Sequence, residues 1–409
     1  MPRTPGRTGR GICAEAAEIP GKGGAKLLFA ASLLLIAFNI RTTVSSIGPV
    51  LPEAVAATGL TPFLAGVLTT IPTLCFGFFG PLAPALARRF GVERTMLFAV
   101  AGIVAGCLLR GVPNGASLLL GQTIACTAIG MINVLLPGLM KRDFAARAAL
   151  MTGLYTTIFC IGAALAAGLT APLEARFGSW SMALAFWSLP ALIALLAFLP
   201  YARAGRPIAL RSPRVAASLL RDPLAWQVTL FMGLQSSLAY IVFAWLAPML
   251  RERGLDPIDA GFALSLSIMA QAGASLVAPT LATRRPDQSL AAAGGCILGT
   301  ISLVGCFFAP LPTIWLWTIP LGISQGALIA LALTMIVLRS PDSETTANLS
   351  GMVQGIGYII AGVGPLAASL IRDWSGGWHG VAALCTGLGL AAACFGYLAG
   401  RARQVGAPT

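Results

Sequence analysis

The sequence predicts an all-α membrane protein whose twelve transmembrane helices form two parallel six-helix halves. Three observations predict this class: the composition, the placement of the basic residues and an internal repeat. Of the 409 residues, 57% are hydrophobic and only 10% are charged, which is more apolar material than the core of a soluble protein buries. The composition therefore favours a chain that crosses a membrane many times.

Apolar runs long enough to cross a bilayer recur along the whole chain. About 30 Å of hydrocarbon requires about 20 residues of helix, and a helix satisfies its own backbone hydrogen bonds in lipid. The twelve predicted spans cover residues 27–52, 62–87, 95–112, 115–140, 148–172, 179–200, 224–250, 258–282, 288–309, 313–338, 347–371 and 380–400.

The basic residues predict the orientation of these spans. With the N-terminus inside, the cytoplasmic side carries 21 of the 27 Lys and Arg residues, the outer side carries five, including Arg110 and Arg251, and Arg41 completes the count. By the positive-inside rule, this distribution predicts a multi-pass membrane protein with both termini in the cytoplasm. Because topology accounts for the net charge of +13, we expect no nucleic-acid partner.

The second half of the chain repeats the first at an offset of about 198 residues. Residues 153–180 align with residues 351–378 without a gap, and several glycine, isoleucine and tryptophan positions coincide. A unit with an even number of spans returns to the side on which it began, so the two units are parallel. The predicted parts are a disordered basic cytoplasmic tail at 1–25, a first half at 26–200, a cytoplasmic linker at 201–222, a second half at 223–402 and a C-terminal tail at 403–409.

Two parallel six-helix halves resemble the transporter architecture of the major facilitator superfamily. The resemblance implies a cavity between the halves near the bilayer midplane, which rocking of the halves exposes to each side in turn. The loop after span two departs from the superfamily's usual G-x-x-x-D-R-x-G-R pattern, because Pro84 stands at the first glycine and Arg88 stands in place of the acid. We therefore make no prediction about a gating ion pair in this loop.

Several stretches resemble a narrower family. They are "NIRTTVSSIGPVLP" (39–52), "GMINVLLPGLMKRDF" (130–144), "LQSSLAYIVFAWLAPMLRERGLDPIDAG" (234–261) and "LSGMVQGIGYIIAGVGPLAASLIRDWSG" (349–376), and they resemble the cyanate permease and 2-nitroimidazole transporter family. The resemblance implies transport of a small, often anionic or nitrogen-rich solute through a bacterial inner (plasma) membrane. Thr42 stands where that family more often has proline, so the geometry of span one is expected to differ locally.

Arg41 stands about midway along span one. A cation there costs roughly 2.5 to 3.5 kcal/mol or more to insert, and all fourteen acidic residues fall in loops or at span ends. Two interpretations remain open: Arg41 binds an anionic solute through its planar fork of donors, or carbonyls and amide side chains neutralise it and it locks helices together. Ser45, on the same helical face, would add a contact to the solute, whereas Asn39 is expected to pack against a neighbouring helix.

Uncharged polar residues near the middle of other spans complete the candidate binding set. Gln354 and Tyr358 are four residues apart and therefore share one helical face. Each such group could equally well bond between helices, and Asn133 could equally well cap carbonyls freed by Pro137. The candidates are Asn133, Tyr155, Gln235, Tyr240, Gln271, Gln325, Gln354 and Tyr358.

The sequence favours a transporter over the other classes of membrane protein. An integral membrane enzyme or a metal site needs clustered His, Asp or Glu residues at mid-membrane, and none is predicted. Eight of the nine cysteines fall within spans and are predicted to pack as small apolar residues. We expect a small-molecule substrate, no cofactor and no obligate protein partner. The main alternative is an exporter of apolar drugs in which Arg41 is structural.

The spans also contain no predicted proton carrier. The single histidine, His379, falls in an outer loop, so a dedicated proton relay is not expected. Bringing one negative charge into a cell with a negative interior costs about 2.3 kcal/mol per 100 mV. Export, exchange of one anion for another, and entry of the solute as its neutral acid therefore remain open.

Overall fold

A computed structural model describes residues 23–144, 148–203, 218–282 and 284–406. These residues form helices without a β-strand, and they include twelve helices that are long and apolar enough to cross a membrane. The predicted fold class is confirmed. In chain order the α-helices are α1 (Gly23–Ser45), α2 (Leu51–Thr58), α3 (Pro62–Phe79), α4 (Ala83–Phe90), α5 (Val92–Leu109), α6 (Gly115–Asp143), α7 (Ala148–Phe177), α8 (Trp180–Phe186), α9 (Ser188–Phe198), α10 (Pro223–Glu252), α11 (Pro257–Ala282), α12 (Ser289–Phe308), α13 (Ile314–Leu338), α14 (Ser343–Ser375) and α15 (His379–Ala399).

The predicted spans correspond to these helices one by one. Span one is divided between α1 and α2, span two continues into α4, and span six is divided between α8 and α9, while every other span is a single helix. The predicted N-terminal tail lies outside the described residues up to residue 22, and α1 begins within it at Gly23. Most of the predicted linker (204–217) and the end of the C-terminal tail (407–409) also lie outside them.

Side-chain caps and glycines set several helix ends. Asn114, Asp222 and Asp342 accept backbone N–H groups at the starts of α6, α10 and α14, which satisfies donors that a helix start leaves free. Gly59 and Gly376, both at φ 66°, follow α2 and α14 and adopt the left-handed conformation that commonly ends a helix. These local signals fix where spans stop and short outer loops begin.

Span one is interrupted directly after α1. A short 3-10 turn, Gly48–Val50, separates α1 from α2. Pro49 has no amide hydrogen to donate to the carbonyl of Ser45, so a regular helix cannot continue through this point. A Cβ atom at Gly48 would lie 2.6 Å from the backbone oxygen of Phe243 on α10. The chain just beyond Arg41 therefore packs backbone to backbone against the second half.

The two halves meet along two equivalent seams. Helix α3 packs on α14, and α11 packs on α7. A Cβ atom at Gly66 of α3 would lie 2.8 Å from Ser369 of α14, and one at Gly261 of α11 would lie 2.8 Å from the carbonyl of Ala167 on α7. Gly66 and Gly261 are 195 residues apart, close to the repeat offset. The internal repeat therefore relates the two seams, as parallel repeats require.

Polar contacts join the halves at the end predicted to face outward. Arg251 of α10 pairs with both carboxylate oxygens of Glu53 on α2, with 2.9 Å between Nη1 and Oε2, and donates to the carbonyl of Pro49 at 3.0 Å. The hydroxyl of Ser369 donates to the carbonyl of Pro62 at 2.6 Å. The halves are therefore closed against each other at the outer end.

Candidate substrate-binding site

Arg41 lies among aromatic rings from both halves. Its guanidinium carbon is 4.9 Å from the ring centre of Phe159 on α7, and 5.4 and 5.1 Å from those of Tyr240 and Phe243 on α10. These distances are in the cation–π range. The first half thus supplies the charge, and both halves supply the rings around it.

Close packing of α1 and α7 places Phe159 beside Arg41. Gly162 of α7 lies directly against the backbone carbonyl of Phe38 on α1, where any side chain would clash. Side chains on a helix point toward its N-terminus, so Arg41 reaches back along α1 to the level of Phe159, one turn before Gly162. Glycine at 162 is therefore required for this contact.

The guanidinium of Arg41 has no hydrogen-bond or ion-pair partner among the residues that the structure describes. The side chain is partly exposed, although the residues that follow it on α1, Thr42 to Ser45, are all buried. The side chains of Tyr155, Tyr240 and Tyr358 lie within electrostatic range of its charge. An arginine has five N–H donors, and here they are open to water or a solute.

Arg110 provides a contrast within the same half. The sequence places it on the outer side, and in the structure it follows the last residue of α5 with its side chain fully buried. Its Nη1 donates to the carbonyl of Thr43 at 3.0 Å and to Gln122 Oε1 at 3.2 Å, and its Nη2 donates to the carbonyl of Leu184 at 3.4 Å. The Thr43 carbonyl is at the C-terminal end of α1, where a cation is favoured. The protein thus provides acceptors for both terminal nitrogens of Arg110 and leaves only its Nε without a partner, whereas it leaves the whole guanidinium of Arg41 open.

Two buried hydroxyl groups near Arg41 also lack partners. The Ser45 hydroxyl, one turn along α1, is 0% exposed, and Tyr240 is 3% exposed. Neither oxygen has a hydrogen-bond partner within the described ranges. A buried hydroxyl without a partner costs free energy. Both hydroxyl groups are therefore unused by the protein, although burial keeps that of Ser45 away from a solute in this conformation.

Three rings near the guanidinium are partly exposed. Tyr155 packs with Phe159 on α7 at 5.9 Å between ring centres. Tyr358 on α14 packs edge to face against Phe76 at 5.6 Å and against Tyr240 at 6.4 Å. We call Tyr155, Phe159 and Tyr358, all partly exposed, the aromatic slot. Two of its members come from the first half and one from the second.

The other predicted residues are not connected to this cluster by any contact of the described chain. The amide of Gln354 donates to the hydroxyl of Ser350 at 2.7 Å, on its own helix. The amide of Gln235 donates to the carbonyl of Met232 at 3.2 Å and to Ser236 at 2.8 Å, also on its own helix. Gln325 is buried with an unpartnered amide nitrogen, and Asn133 and Gln271 are partly exposed.

Phe159 and Phe243 were not predicted as site residues from the sequence. They are apolar residues in apolar spans, and no sequence signal separates a ring that faces an arginine from a ring in the core. Tyr240 was a candidate only because its hydroxyl makes it a polar residue within a span. Asn39 behaves as predicted, since its amide donates to the carbonyl of Leu35 and, at 3.2 Å, to that of Pro190 on α9.

The acidic residues nearest the spans are engaged elsewhere. Glu53 pairs with Arg251, and Glu93 pairs with Arg142 at 2.6 Å. Among the described residues, no group of three or more His, Cys, Asp or Glu side chains could hold a metal ion. The functional groups at the site are therefore the open cation of Arg41 and, around it, hydroxyl groups and aromatic rings.

Comparisons with known proteins bear on this site. The family model for the Major Facilitator Superfamily matches residues 33–321. The 2-nitroimidazole transporter of Escherichia coli (strain K12) is 36% identical over 389 residues, covering 94% of this chain and 98% of that protein. The cyanate transport protein CynX of the same organism is 28% identical over 347 residues, covering 85% and 90%. A bacterial homologue of the human lysosomal transporter Spinster, solved in an inward-facing and unoccupied conformation, has a TM-score of 0.75 at 14% identity, covering 93% and 98%.

Proposed function

Because this chain belongs to the major facilitator superfamily of membrane transporters, we propose that it carries a small anionic solute across the bacterial inner membrane, with Arg41 as the anion anchor. The transport is by alternating access, in which residues 26–200 and 223–402 rock against each other about the linker at 201–222. Both termini face the cytoplasm. The solute and the bilayer are its partners.

The observation that carries this proposal is the open guanidinium of Arg41. It is a permanent charge at mid-span, partly exposed, and without an acceptor in the described chain. In a site of low dielectric, an anion is attracted to such a charge several times more strongly than in water. Two unpartnered hydroxyl groups, on Ser45 and Tyr240, lie close by and add neutral donors.

The closed outer end supports a direction of access. Arg251, Glu53 and Pro49 join the halves there, so in this conformation the solute reaches Arg41 from the cytoplasmic side. The names of two relatives support the solute class: cyanate is a small anion, and 2-nitroimidazole is a small nitrogen heterocycle. With no acidic partner for Arg41 in the described chain, export, anion exchange and entry as the neutral acid are all compatible with the site.

One observation favours a second candidate, an exporter of apolar compounds. The rings of Phe159, Tyr240 and Phe243 attract the charge of Arg41, and each cation–π contact contributes about 0.5 to 2 kcal/mol. On this view Arg41 joins the halves structurally and the rings bind the solute. The two candidates differ in whether an uncharged residue at position 41 abolishes binding.

Thermal unfolding of the purified protein tests the proposal. A ligand that binds only the folded state raises the melting temperature. Cyanate, small monocarboxylates and nitrogen heterocycles are added to the wild type, to Arg41→Gln and to Arg372→Gln. The control variant removes a positive charge from an exposed ion pair with Glu252, remote from the aromatic slot.

We expect stabilisation by at least one anion in the wild type and in Arg372→Gln, and none in Arg41→Gln. Folding of the Arg41→Gln variant is checked by its own cooperative transition. If the anion stabilises Arg41→Gln as strongly as the wild type, or if no anion stabilises any form, the anchor role is refuted and the exporter of apolar compounds is favoured.

A further inference from the structure

We propose that the preferred solute is a planar aromatic monoanion, of the size and shape of benzoate, held with its charged group at Arg41 and its ring in the aromatic slot. This inference rests on the proposed function, since it assumes that Arg41 binds the charged group. It adds the chemistry of the remainder of the solute.

The rings decide the shape of the solute. Tyr155 and Phe159 come from the first half and Tyr358 from the second, and the side chains of Tyr155 and Tyr358 lie within electrostatic range of each other and of Arg41. All three are partly exposed, whereas Tyr240 and Phe243 are 3% exposed. A solute bound at the guanidinium therefore meets the π surfaces of the exposed rings. Aromatic groups pack there in offset or edge-to-face geometry.

The charges decide that the solute is a monoanion. Arg41 is the open cation of the cluster, and Arg110, the other buried arginine of the first half, already donates to Thr43, Gln122 and Leu184. Among the described residues around Arg41, the open charge is that of Arg41 itself and the nearby polar groups are neutral hydroxyls, which suits one carboxylate or similar group. A dianion would bring a second charge with no cation to receive it.

The rings of the slot come from both halves, since Phe159 lies on α7 and Tyr358 on α14. A solute whose ring packs against both side chains touches both halves at once. Contact with both halves is what a solute needs in order to favour the closing of one half onto the other.

Benzoate and cyclohexanecarboxylate form the matched pair for the test. Both are monoanions with a six-carbon ring, and they differ in the π system and in flatness. Dissociation constants are measured by titration calorimetry on the purified protein, alongside cyanate as a small anion without a ring. We expect benzoate to bind about tenfold more tightly than cyclohexanecarboxylate, because stacking adds to the apolar contact that both acids make.

Two leucine variants locate the effect. Phe159→Leu removes a ring of the slot and keeps an apolar side chain, and we expect it to reduce the preference for benzoate to within about threefold. Phe78→Leu is the control, because Phe78 is 59% exposed on α3 and points away from the side that carries Phe76. It should retain the wild-type preference. Should Phe159→Leu fail to fold, the comparison of the two acids on the wild type still tests whether the protein prefers an aromatic ring.

The outcomes separate the two proposals. Equal affinity for the two acids, or Arg41-dependent binding of cyanate without binding of benzoate, overturns the aromatic inference and leaves the anion anchor intact. Absence of binding by every anion, the aromatic ones included, refutes the proposed function and this inference together. If Phe159→Leu binds benzoate in preference to cyclohexanecarboxylate as strongly as the wild type does, the aromatic slot is not the cause of the preference and the inference is overturned.

Discussion

Removal of the Arg251 side chain should open the outer end of the protein. Arg251 of α10 pairs with both carboxylate oxygens of Glu53 on α2 and donates to the carbonyl of Pro49, and these contacts cross from one half to the other. The side chains of Arg251 and Glu53 are only 17% and 27% exposed. The contacts of Arg251 with Glu53 and Pro49 exist only while the outer end is closed. Arg251→Gln should therefore shift the equilibrium between the closed and open forms without changing the fold of either half.

The size of the shift follows from the geometry. A fully exposed ion pair contributes about 0.2 to 1 kcal/mol, whereas hydrogen bonds to charged groups contribute about 1.5 to 3 kcal/mol. The pair here is bidentate and mostly shielded, but both partners regain water when the end opens. A loss of about 1.4 to 2 kcal/mol is therefore expected, which lowers the ratio of closed to open forms roughly 10- to 30-fold.

Electron paramagnetic resonance distance measurement reads this ratio directly. Spin labels at Ala57 and Asp373, exposed positions at the outer ends of the first and second halves, report their separation in lipid nanodiscs, in a background where Cys13 and Cys394 are serine. Arg251→Gln should add a longer distance to the distribution.

The matched control for Arg251→Gln is Arg372→Gln, which breaks an outer ion pair with Glu252 inside the second half and should leave the distribution unchanged. An unchanged distribution in Arg251→Gln, or an equal change in both variants, would refute the role of Arg251 as a latch between the halves.

Three further outcomes follow from the structure. Arg110→Gln should lower the melting temperature by several degrees, because it removes the donor to Thr43, Gln122 and Leu184, and a buried acceptor that is left without any partner costs about 1 to 3 kcal/mol; an unchanged melting temperature would contradict this. Gly261→Ala should lower it as well, since the new methyl group meets the carbonyl of Ala167 at 2.8 Å, whereas Gly273→Ala on the same helix meets nothing within 4 Å and should have no such effect. Binding of an anion with a low pKa, such as benzoate, should be constant within about twofold between pH 6 and 8, because arginine does not titrate there and Arg41 has no ion-pair partner among the described residues; a tenfold change in calorimetric titrations would show that a titrating group takes part.

The fold was predictable because a segment that crosses a bilayer must be apolar and must satisfy its own backbone hydrogen bonds. Twelve apolar runs and the repeat were enough to predict the helices and their pairing into halves, and the seams at Gly66 and Gly261 lie at related positions of the repeat. The interruption after α1 was less visible, although Pro49 explains it. Residue depth was the weak point, since Arg110 at the end of α5 reads as a loop charge until neighbouring helices are seen to enclose it.

The site was only partly predictable because polarity in a sequence marks a side chain but not its partner. Tyr155 and Tyr358 were predicted and lie near Arg41, while Gln235 was predicted on the same grounds and bonds to its own helix. Phe159 and Phe243 carry no polar atom, so nothing distinguished them from core residues. Glu53 and Arg251 are 198 residues apart, which matches the repeat offset. Residues at equivalent positions of the two halves can contact each other when they lie beside the axis that relates the halves, so this spacing is a usable sequence signal.

Arg41 and Arg110 show that a buried charge has to be judged by its partners and not by its depth. Arg110 is the more deeply buried of the two, yet its Nη1 and Nη2 donate to carbonyl and amide oxygens, and only its Nε lacks a partner. Arg41 lies beside rings that attract its charge but accept no conventional hydrogen bond, so its partly exposed N–H groups are left to water or a solute. A carrier of uncharged apolar compounds would gain nothing from leaving this cation open, since an arginine satisfied in the manner of Arg110 would hold the helices together equally well. A carrier of anions gains a site that is incomplete until its solute is bound.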